Sequence, residues 1–388
     1  MASLKDKAAI AGIGATEFSK NSGRSELQLA TESVTAALAD AGLKPSDVDG
    51  ISTYTMDNNG ELDVFRAIGG RDLKFFARAH YGGGGACAPI MLGAMAVATG
   101  QAKVVVCYRA MNERSEYRFG APIQMSVPTT ENALWHYMLI HGAQTAAAYI
   151  AMCMRRYMHE TGTTTDAFAE VAMSARFHAN TNPNAFFYNR PLTMDDYLAS
   201  RMIADPFRKL DCCQESDGSV AVVIVSAEHA RNLRQKPAMI RAAAQGAPVG
   251  TGNFTQVFRG DITPFVETNL VARQLYETSG LGPKDIQASI FYDHFGPTVL
   301  PSLEAFGFCK RGEAKDFIKN GNIRVGGAMP VNMNGGQTGE AYIHGMNGIA
   351  EAVRQIRGTA VNQVKGVHNI AVTAGSCVPT SGLILGAA

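Results

Sequence analysis

Tyr342 and His344 are side chains able to transfer protons, and both lie within a glycine-rich segment, residues 334–348. Glycine fills five of the fifteen positions, and glycine allows positive φ angles and a close approach of the backbone to a neighbour. The residues that follow carry the apolar spacing of an amphipathic helix at Ile349, Val353 and Ile356. Free N–H groups at the start of that helix would favour a group gaining negative charge. A tight structural turn explains the glycines but not the tyrosine and histidine among them.

The 388-residue chain has the composition of an ordinary globular protein, with 46% hydrophobic and 18% charged residues. This length allows two core-bearing units, or one large unit with an insertion. The net charge of +1 gives no reason to expect nucleic acid or an anionic membrane as a partner. The 40 glycines are about a tenth of the chain, against an average near 7%. Such a content is typical of layered α/β proteins with active sites built from loops.

The sequence favours a cytoplasmic protein. We see no apolar N-terminal segment with a cleavage site, so no signal peptide is predicted. The uncharged run 86–101 is shorter than a bilayer span and predicts a buried helix. The seven cysteines have no regular spacing, which argues against a disulfide framework and favours a reducing compartment. Cys212 and Cys213 are adjacent rather than spaced as C-x-x-C, and no metal site is predicted there.

An internal repeat organises the chain. Residues 38–48 recur as residues 276–286, and each copy reads as a helix, a glycine C-cap, a proline-containing turn and a strand. The glycines of the two copies are Gly42 and Gly280. The strands are predicted at 48–54 and 286–292.

A second correspondence aligns Gly100 with Gly358 and places Gly84, in the glycine run 82–85, opposite Tyr342. Each copy reads as a glycine-rich loop, a helix and an apolar strand. Two similar β-α-β halves imply parallel-type sheets with helices buried between them and two glycine-rich loops facing one site.

We therefore predict an N-terminal half at residues 1–230 and a C-terminal half at 231–388. Within the first half, residues 110–204 are too long for a loop and read as a mainly helical insertion that covers the site.

Several motifs resemble the thiolase superfamily, specifically its sterol carrier protein thiolase and lipid-transfer-protein branch. The resemblance covers nearly the whole chain, and its most specific segments are 191–201 (PLTMDDYLASR), 203–206 (IADP), 210–213 (LDCC), 216–218 (SDG) and 303–309 (LEAFGFC). It implies an α/β protein with the duplicated five-layered α-β-α-β-α thiolase fold. The internal repeat is what such a duplicated fold would produce.

The thiolase catalytic motifs are altered in this chain. The position of the nucleophilic cysteine falls at Gly84, and Cys87 three residues later is interpreted as a packing residue. The His-Asp-Cys-Phe motif reads as residues 292–295 (YDHF), and the Gly-His-Pro motif as residues 341–343 (AYI). Covalent thiolysis needs a thiolate, so the chain is not a working thiolase.

The replacements resemble the lipid-transfer-protein type aldolases of steroid side-chain degradation. The resemblance implies retro-aldol cleavage of a β-hydroxyacyl-CoA, with a 17-hydroxy steroid C22-CoA giving a 17-ketosteroid and propionyl-CoA. It further implies no cofactor beyond the CoA of the substrate, and a homodimer bound to two copies of a small OB-fold, zinc-ribbon partner. In such an α2β2 complex the zinc belongs to the partner alone.

A retro-aldol reaction needs a base, an acid and a stabiliser of the thioester enolate. We predict that Tyr292 and Tyr342 share the base and acid roles, in an order the sequence leaves open, while His294 and loop N–H groups polarise the thioester oxygen. On a strand, residues 292 and 294 would share one face, and Asp293, interpreted as structural, the other.

Other residues of the two glycine loops are predicted to support the site. They are Gly84, Gly335, Gly336 and His344, and a loop-holding role for His344 remains equally open. A phenolate near neutrality would require roughly 3 to 4 kcal/mol of stabilisation. The helix N-terminus behind Tyr342 lowers the pKa, but contributes only about 0.3 to 1 kcal/mol.

Three alternatives stay open at this point. An acyltransferase of the same fold would need a cysteine nucleophile, which the glycine at Gly84 does not provide. A retro-aldolase could act on a different acyl-CoA. A catalytically silent acyl-CoA-binding or scaffold subunit could stabilise a partner enzyme.

Overall fold

A computed structural model describes residues 4–118, 120–121, 133–252 and 258–388. Its helices are α1 (Glu26–Ala41), α2 (Glu61–Ala67), α3 (Ala88–Ala98), α4 (Ala133–Ile140), α5 (Ala146–Thr161), α6 (Thr165–Thr181), α7 (Met194–Ala199), α8 (Ala227–Ala230), α9 (Phe265–Ser279), α10 (Val299–Ala305), α11 (Ala314–Phe317), α12 (Gly336–Gly339) and α13 (Met346–Arg357). Its strands are β1 (Ala8–Ala15), β2 (Gly50–Tyr54), β3 (Phe75–Ala79), β4 (Val104–Asn112), β5 (Met202–Ala204), β6 (Phe207–Arg208), β7 (Asp217–Ser226), β8 (Ala238–Gly246), β9 (Ala288–Ile290), β10 (Asn369–Thr373) and β11 (Thr380–Ala387).

The large sheet consists of two half-sheets joined at one edge. Its nine strands run in the order β3-β2-β4-β7-β1-β8-β11-β10-β9. The β1–β8 junction pairs Ala9 with Met239 and Ile10 with Ala238. Each half contains parallel β-α-β pairing, with β2 beside both β3 and β4 in the first half and β9 beside β10 in the second. The predicted β-α-β units therefore exist, but the prediction of parallel-type sheets is wrong, because β7, β8 and β11 pair antiparallel with their neighbours and the sheet is mixed. The two half-sheets are continuous at this short junction.

Helices fill the space between the half-sheets and cover both outer faces. The central apolar cluster combines α3 and α13 with inward-facing residues of both half-sheets. A second cluster packs α1 on the outer face of the first half-sheet. A third packs α9 and α10 on the outer face of the second. This is the α-β-α-β-α layering predicted for the fold, since each sheet buries apolar side chains on both of its faces.

The first repeat predicted from the sequence has the same local geometry in both copies. Gly42 ends α1 at φ 77°, and Gly280 ends α9 at φ 72°, in the left-handed region that favours glycine. In the turn that follows α1, Asp47 Oδ2 accepts a hydrogen bond from the backbone N–H of Lys44 at 2.8 Å. Asp285 accepts the equivalent bond after α9 at the same distance.

One predicted strand is shorter than expected, and this affects the site. The strand predicted at 286–292 contains only β9, which ends at Ile290. Beyond it, the side chain of Asn332 binds both backbone groups of Phe291, accepting from its N–H at 2.8 Å and donating to its carbonyl at 2.9 Å. A side chain thus replaces the strand partner, and Tyr292 lies in an irregular segment after the strand.

The described part of the predicted insertion is mainly helical, with α4 to α7 between β4 and β5. Residues 119 and 122–132 lie outside the described residues. Helices α5 and α6 contribute to the outer cluster of the second half. Ala175 and Ala179 of α6 pack directly on the glycine-rich segment, where a Cβ at Gly335 or Gly339 would collide with them. The insertion therefore supports the loop that carries Tyr342.

All seven cysteines are free thiols in this structure. In the described ranges, no helix combines the length and apolar character needed to span a bilayer.

We expect buried His178 to make the protein less stable in mild acid. Its Nδ1 contacts the carbonyl of Asn332 at 3.1 Å, and its Nε2 accepts the N–H of Val325 at 3.1 Å. The ring is thus neutral, and burial lowers its pKa to about 4. The unfolded chain takes up a proton near pH 6.5 and the folded protein does not, so stability falls as pH drops from about 6.5 towards 4.

At pH 5 this difference corresponds to about 2 kcal/mol. Urea unfolding at pH 7.5 and pH 5 measures it, with His178→Asn as the comparison. The variant should be less stable at pH 7.5 but should lose about 2 kcal/mol less between the two pH values. An equal loss in both proteins would contradict this role of His178.

Candidate active site

The two predicted tyrosines form a buried pair. Tyr292 Oη and Tyr342 Oη lie 3.0 Å apart, within hydrogen-bonding distance. Their rings meet edge to face, with centroids 6.3 Å apart at 76°. Tyr292 follows β9 and Tyr342 lies between α12 and α13. The irregular segment and the glycine-rich loop thus bring together two phenols that are 50 residues apart in sequence.

Both predicted histidines adjoin the tyrosine pair. The ring of His294 is 5.0 Å from that of Tyr292, and the ring of His344 is 5.4 Å from that of Tyr342, between centroids. Burial lowers the pKa of His294 to about 4. Burial, and then the nearby cation of Arg109, lowers the pKa of His344 well below its usual value. Both imidazoles are therefore neutral at physiological pH.

The glycine-rich loop is anchored to the first half of the chain. The N–H of Tyr342 donates to Ser216 Oγ at 3.1 Å. Tyr54, the last residue of β2, donates its hydroxyl to the carbonyl of His344 at 2.8 Å. The fully buried guanidinium of Arg109 lies 5.0 Å from the ring of Tyr54. The backbone of His344 therefore has a clear structural contact, at a φ of 53° that is unusual for a non-glycine residue.

Asp293 points away from the tyrosine pair and holds the start of the loop, in agreement with its predicted structural role. Its Oδ1 accepts the N–H of Gln337 at 2.8 Å, and its Oδ2 accepts the Thr338 hydroxyl at 3.0 Å. Gly336 has a φ of 64°, and a Cβ there would overlap this carboxylate. Gly335 has a φ of 108° and packs on α6. These two glycines shape the loop, and they do so through backbone conformation and close packing.

The structure corrects the predicted position of the glycine that faces the site. A Cβ at Gly84 would overlap Pro379 and Val378, so that residue packs against the loop before β11. It is Gly83 that faces Tyr292, because a Cβ there would overlap the phenolic hydroxyl. Residues 82–85 form a 3-10 turn, and a sequence offset taken from Gly100 carries no information on which glycine of that turn points to the tyrosines.

Glycines from three segments enclose the ring of Tyr292. Besides Gly83, a Cβ at Gly345 would lie 3.0 Å from Cδ2 and Cε2 of the ring, and one at Gly375 would lie 3.3 Å from Cδ1 and Cε1. Gly375 also donates its N–H to the carbonyl of Gly83 at 2.9 Å. The phenol is thus held by backbone on several sides, which leaves it little room to move.

Burial opposes the lowered tyrosine pKa that a phenolate base would require. Burial, followed by the neighbouring Tyr342, raises the pKa of Tyr292 well above its usual value. Burial, followed by Cys213 and Glu113, does the same for Tyr342. Any effect of the helix N-terminus is smaller than this loss of solvation. Both phenols are therefore neutral at physiological pH, which disfavours a resting phenolate as the base.

No thiol replaces the missing thiolase nucleophile at this position. Cys87 is fully buried at the start of α3, and its N–H donates to Ser381 Oγ at 3.1 Å. Burial raises the pKa of its thiol, so the reactive thiolate is disfavoured. Within the described ranges, no group of three or more His, Cys, Asp or Glu side chains has the arrangement of a metal site.

The sequence did not reveal which residues of the N-terminal half surround the tyrosine pair. Ser216 was recognised within a family motif, but nothing in the sequence indicated its bond to Tyr342. Tyr54 appeared only as the last residue of the predicted strand 48–54, and Arg109 was not singled out. Glu113 is a buried carboxyl just after β4, and it raises the pKa of Tyr342. Its position directly after a strand was the only feature of the sequence that could have indicated a place near the site.

Comparison with known proteins identifies the class first. Residues 250–384 match the family model described as thiolase C-terminal domain-like. Together with the layered fold and its internal repeat, this match defines a thiolase-fold protein with an altered catalytic centre.

Full-length relatives then identify the family. The chain is 58% identical over 390 residues to a steroid side-chain-cleaving aldolase of Thermomonospora curvata, covering 100% of both proteins. It is 56% identical to a 17-hydroxy-3-oxo-4-pregnene-20-carboxyl-CoA lyase of Mycobacterium tuberculosis, over 99% of this chain and 100% of the relative. The solved Ltp2-ChsH2(DUF35) aldolase matches with a TM-score of 0.95 and 57% identity, over 100% of this chain and 99% of that one. The chain therefore belongs to the steroid side-chain-cleaving aldolases, a family of thiolase-fold lyases, and the predicted fold class, resemblance and lyase activity are confirmed.

Proposed function

We propose that the protein cleaves a 17-hydroxy steroid C22-CoA ester by a retro-aldol reaction, giving a 17-ketosteroid and propionyl-CoA. The observation that carries this proposal is the 3.0 Å contact between two neutral, buried tyrosine hydroxyls at the position where a thiolase has its covalent chemistry. The names of the two full-length relatives support the substrate class. The CoA belongs to the substrate, and the reaction needs no further cofactor.

The proton balance of the reaction suits a pair of neutral hydroxyls. The β-hydroxyl of the substrate loses a proton, its oxygen forms the new carbonyl, and the electron pair of the broken carbon–carbon bond moves to the thioester enolate. The enolate carbon gains a proton in the same step. One tyrosine accepts the hydroxyl proton as it passes its own proton to the other tyrosine across the Tyr292–Tyr342 contact, and the second tyrosine gives its proton to the enolate carbon, so the pair returns to its starting state with no phenolate or oxonium intermediate. Either tyrosine can face the β-hydroxyl in this scheme.

His294 completes the proposed site as a donor to the thioester oxygen. It is neutral and buried beside Tyr292. A neutral imidazole carries one N–H, and such a donor in a site shielded from water stabilises an enolate oxygen more strongly than it would in water. A pKa of about 4 keeps this ring from becoming an imidazolium during turnover.

We expect kcat to be constant within about twofold from pH 7 to pH 9, because the phenols pass protons while neutral. A mechanism with a phenolate base would instead raise kcat about tenfold per pH unit below its pKa. Initial rates of CoA-ester cleavage at saturating substrate, in buffers of constant ionic strength, distinguish the two. A slope near one in log kcat against pH would contradict the neutral pair.

The proposed assembly is a homodimer that binds two copies of a small OB-fold, zinc-ribbon partner, giving an α2β2 complex. Strand β3 is an edge of the large sheet, and its Phe76 is 68% exposed. An exposed edge with an apolar side chain is suited to pairing with a second chain. The name of the solved Ltp2-ChsH2(DUF35) aldolase supports the small partner. The zinc is placed in the partner alone, and the free thiols of this chain favour a cytoplasmic location.

The direct test is to incubate the purified protein, alone and with the candidate partner, with a 17-hydroxy steroid C22-CoA ester. We expect stoichiometric 17-ketosteroid and propionyl-CoA, measured by liquid chromatography and mass spectrometry. Binding without turnover in both samples would contradict the proposal and favour a scaffold subunit. Cleavage of a different acyl-CoA at a much higher kcat/KM would contradict the steroid assignment alone.

A further inference from the structure

Glu340, two residues before Tyr342, is a buried carboxylate held by three asparagine side chains. Its Oε1 accepts a hydrogen bond from Asn182 Nδ2 at 3.0 Å. Its Oε2 accepts from Asn347 Nδ2 at 2.9 Å and from Asn334 Nδ2. Only 2% of the residue is exposed. Amide groups thus solvate the carboxylate in place of water, which makes its burial tolerable.

The three asparagines belong to three different elements. Asn182 follows α6 in the insertion, Asn334 begins the glycine-rich segment, and Asn347 lies in the first turn of α13. The backbone of Glu340 is held as well, because its carbonyl accepts the N–H of Phe186 at 2.9 Å. Glu340 therefore links the insertion to the loop that carries Tyr342, in addition to the packing of α6 on that loop.

The same amides bind loop carbonyls, so the position of the carboxylate is transmitted to the backbone. Asn182 Nδ2 also donates to the carbonyl of Asn334 at 2.9 Å. Asn347 Nδ2 also donates to the carbonyl of Ala341 at 3.0 Å. That carbonyl belongs to the peptide bond that leads directly into Tyr342. A change at Glu340 therefore reaches the tyrosine through a short series of bonds.

We propose that Glu340 is a positioning residue for Tyr342, which fixes the phenol against Tyr292 by joining the insertion, the loop and α13. The inference rests on the proposed function, since it assumes that the tyrosine pair transfers the protons. An apolar side chain would fill this space at a lower cost of desolvation. The carboxylate instead provides directional bonds to three elements, which is what the orientation of a reacting group requires.

Glu340→Gln is the sharpest test, because it keeps the size and replaces one oxygen by an NH2 group. In either orientation, the NH2 group of the new glutamine faces an asparagine NH2 group, so two donors meet and a hydrogen bond is lost. We expect kcat to fall about 30-fold, since displacement of a reacting group by a fraction of an ångström has an effect of this order. KM should stay within about twofold, because the substrate surface is unchanged.

Glu304→Gln is the matched control. Glu304 is also a buried carboxylate, on α10, and accepts hydrogen bonds from the Tyr157 hydroxyl at 2.7 Å and from the N–H of Gly312 at 2.8 Å. Its loss should leave kcat within about twofold. Equal losses of kcat in the two variants would overturn the proposal, because they would show a general effect of removing buried charge.

The double variant E340Q/N334D provides a rescue. Asn334 Oδ1 accepts the N–H of Gly336 at 3.1 Å, and an aspartate keeps this acceptor while it offers a second oxygen to the new amide. We expect kcat to recover at least about tenfold relative to E340Q, a gain that a merely structural role would not predict. No recovery in a folded double variant would overturn the proposal.

Tyr342→Phe, assayed in parallel, separates this inference from the proposed function. An inactive Y342F protein together with a fully active E340Q protein would overturn only the role of Glu340. An active Y342F protein would overturn the proton-transfer role of the tyrosine pair, and the role of Glu340 with it, while the absence of cleavage in the unmodified protein would overturn the proposed function itself. Urea unfolding midpoints of all variants identify any that are simply unfolded.

Discussion

A protein with Tyr342→Phe should cleave the CoA ester with kcat lowered about 1,000-fold, the usual size of the contribution from one proton-transferring group. Phenylalanine keeps the ring, and with it most of the packing in the central cluster that contains Tyr342. The variant removes only the hydroxyl that contacts Tyr292 Oη at 3.0 Å. Tyr292→Phe should have a similar effect, because a pair that passes a proton fails when either member is lost. Single-turnover cleavage at saturating substrate measures the chemical step directly.

Tyr276→Phe is a suitable control for the loss of a phenol elsewhere in the fold. Tyr276 on α9 donates its hydroxyl to the carbonyl of Phe306 at 2.9 Å. This variant should lose about 1 kcal/mol of stability and keep its kcat. Rates near normal in both Y292F and Y342F would show that the tyrosine pair does not transfer the protons. The double variant should be no slower than the slower single variant if the two hydroxyls act as a unit.

The resemblance to thiolases implied the layered fold, and the duplication supports it because it repeats visible local signals. Gly42 and Gly280, each followed by a proline turn, mark the same helix end in both halves, and the structure gives both a left-handed φ. The approach of Tyr292 to Tyr342 followed from the family motifs. These positions were predictable because backbone conformation and motif spacing are local properties.

The rest depends on contacts between distant segments. The end of β9 is set by Asn332, which is 41 residues from Phe291 in the chain, so no pattern within the strand could indicate it. The tyrosine pKa follows burial by both halves, which spacing along the chain does not encode. The repeat alignment placed Gly84 at the site, whereas Gly83 lies against the hydroxyl of Tyr292, a contact between distant segments that the alignment does not encode.

Gly83→Ala should lower kcat by at least about 100-fold through a single added methyl group. A Cβ at Gly83 would overlap the hydroxyl of Tyr292, and the ring cannot withdraw freely because Gly345 and Gly375 already contact its other edges. The hydroxyl must therefore leave its position 3.0 Å from Tyr342, and proton transfer is sensitive to such displacements. Overpacking should also destabilise the protein by about 1 to 3 kcal/mol. Steady-state kinetics and urea unfolding measure the two effects.

Two further variants show whether the methyl group acts through Tyr292. Gly260→Ala is the matched control, because a Cβ at Gly260 meets no atom of the described residues within 4 Å, and it should keep normal kcat and stability. The double variant G83A/Y292F lacks the overlapping hydroxyl, so it should regain much of the stability lost in G83A while remaining inactive. Such non-additivity is expected only for residues in direct contact. Normal kcat in G83A would mean that the observed placement of Tyr292 is not required for cleavage. If Y292F did not relieve the stability loss of G83A, the strain would lie elsewhere in the turn.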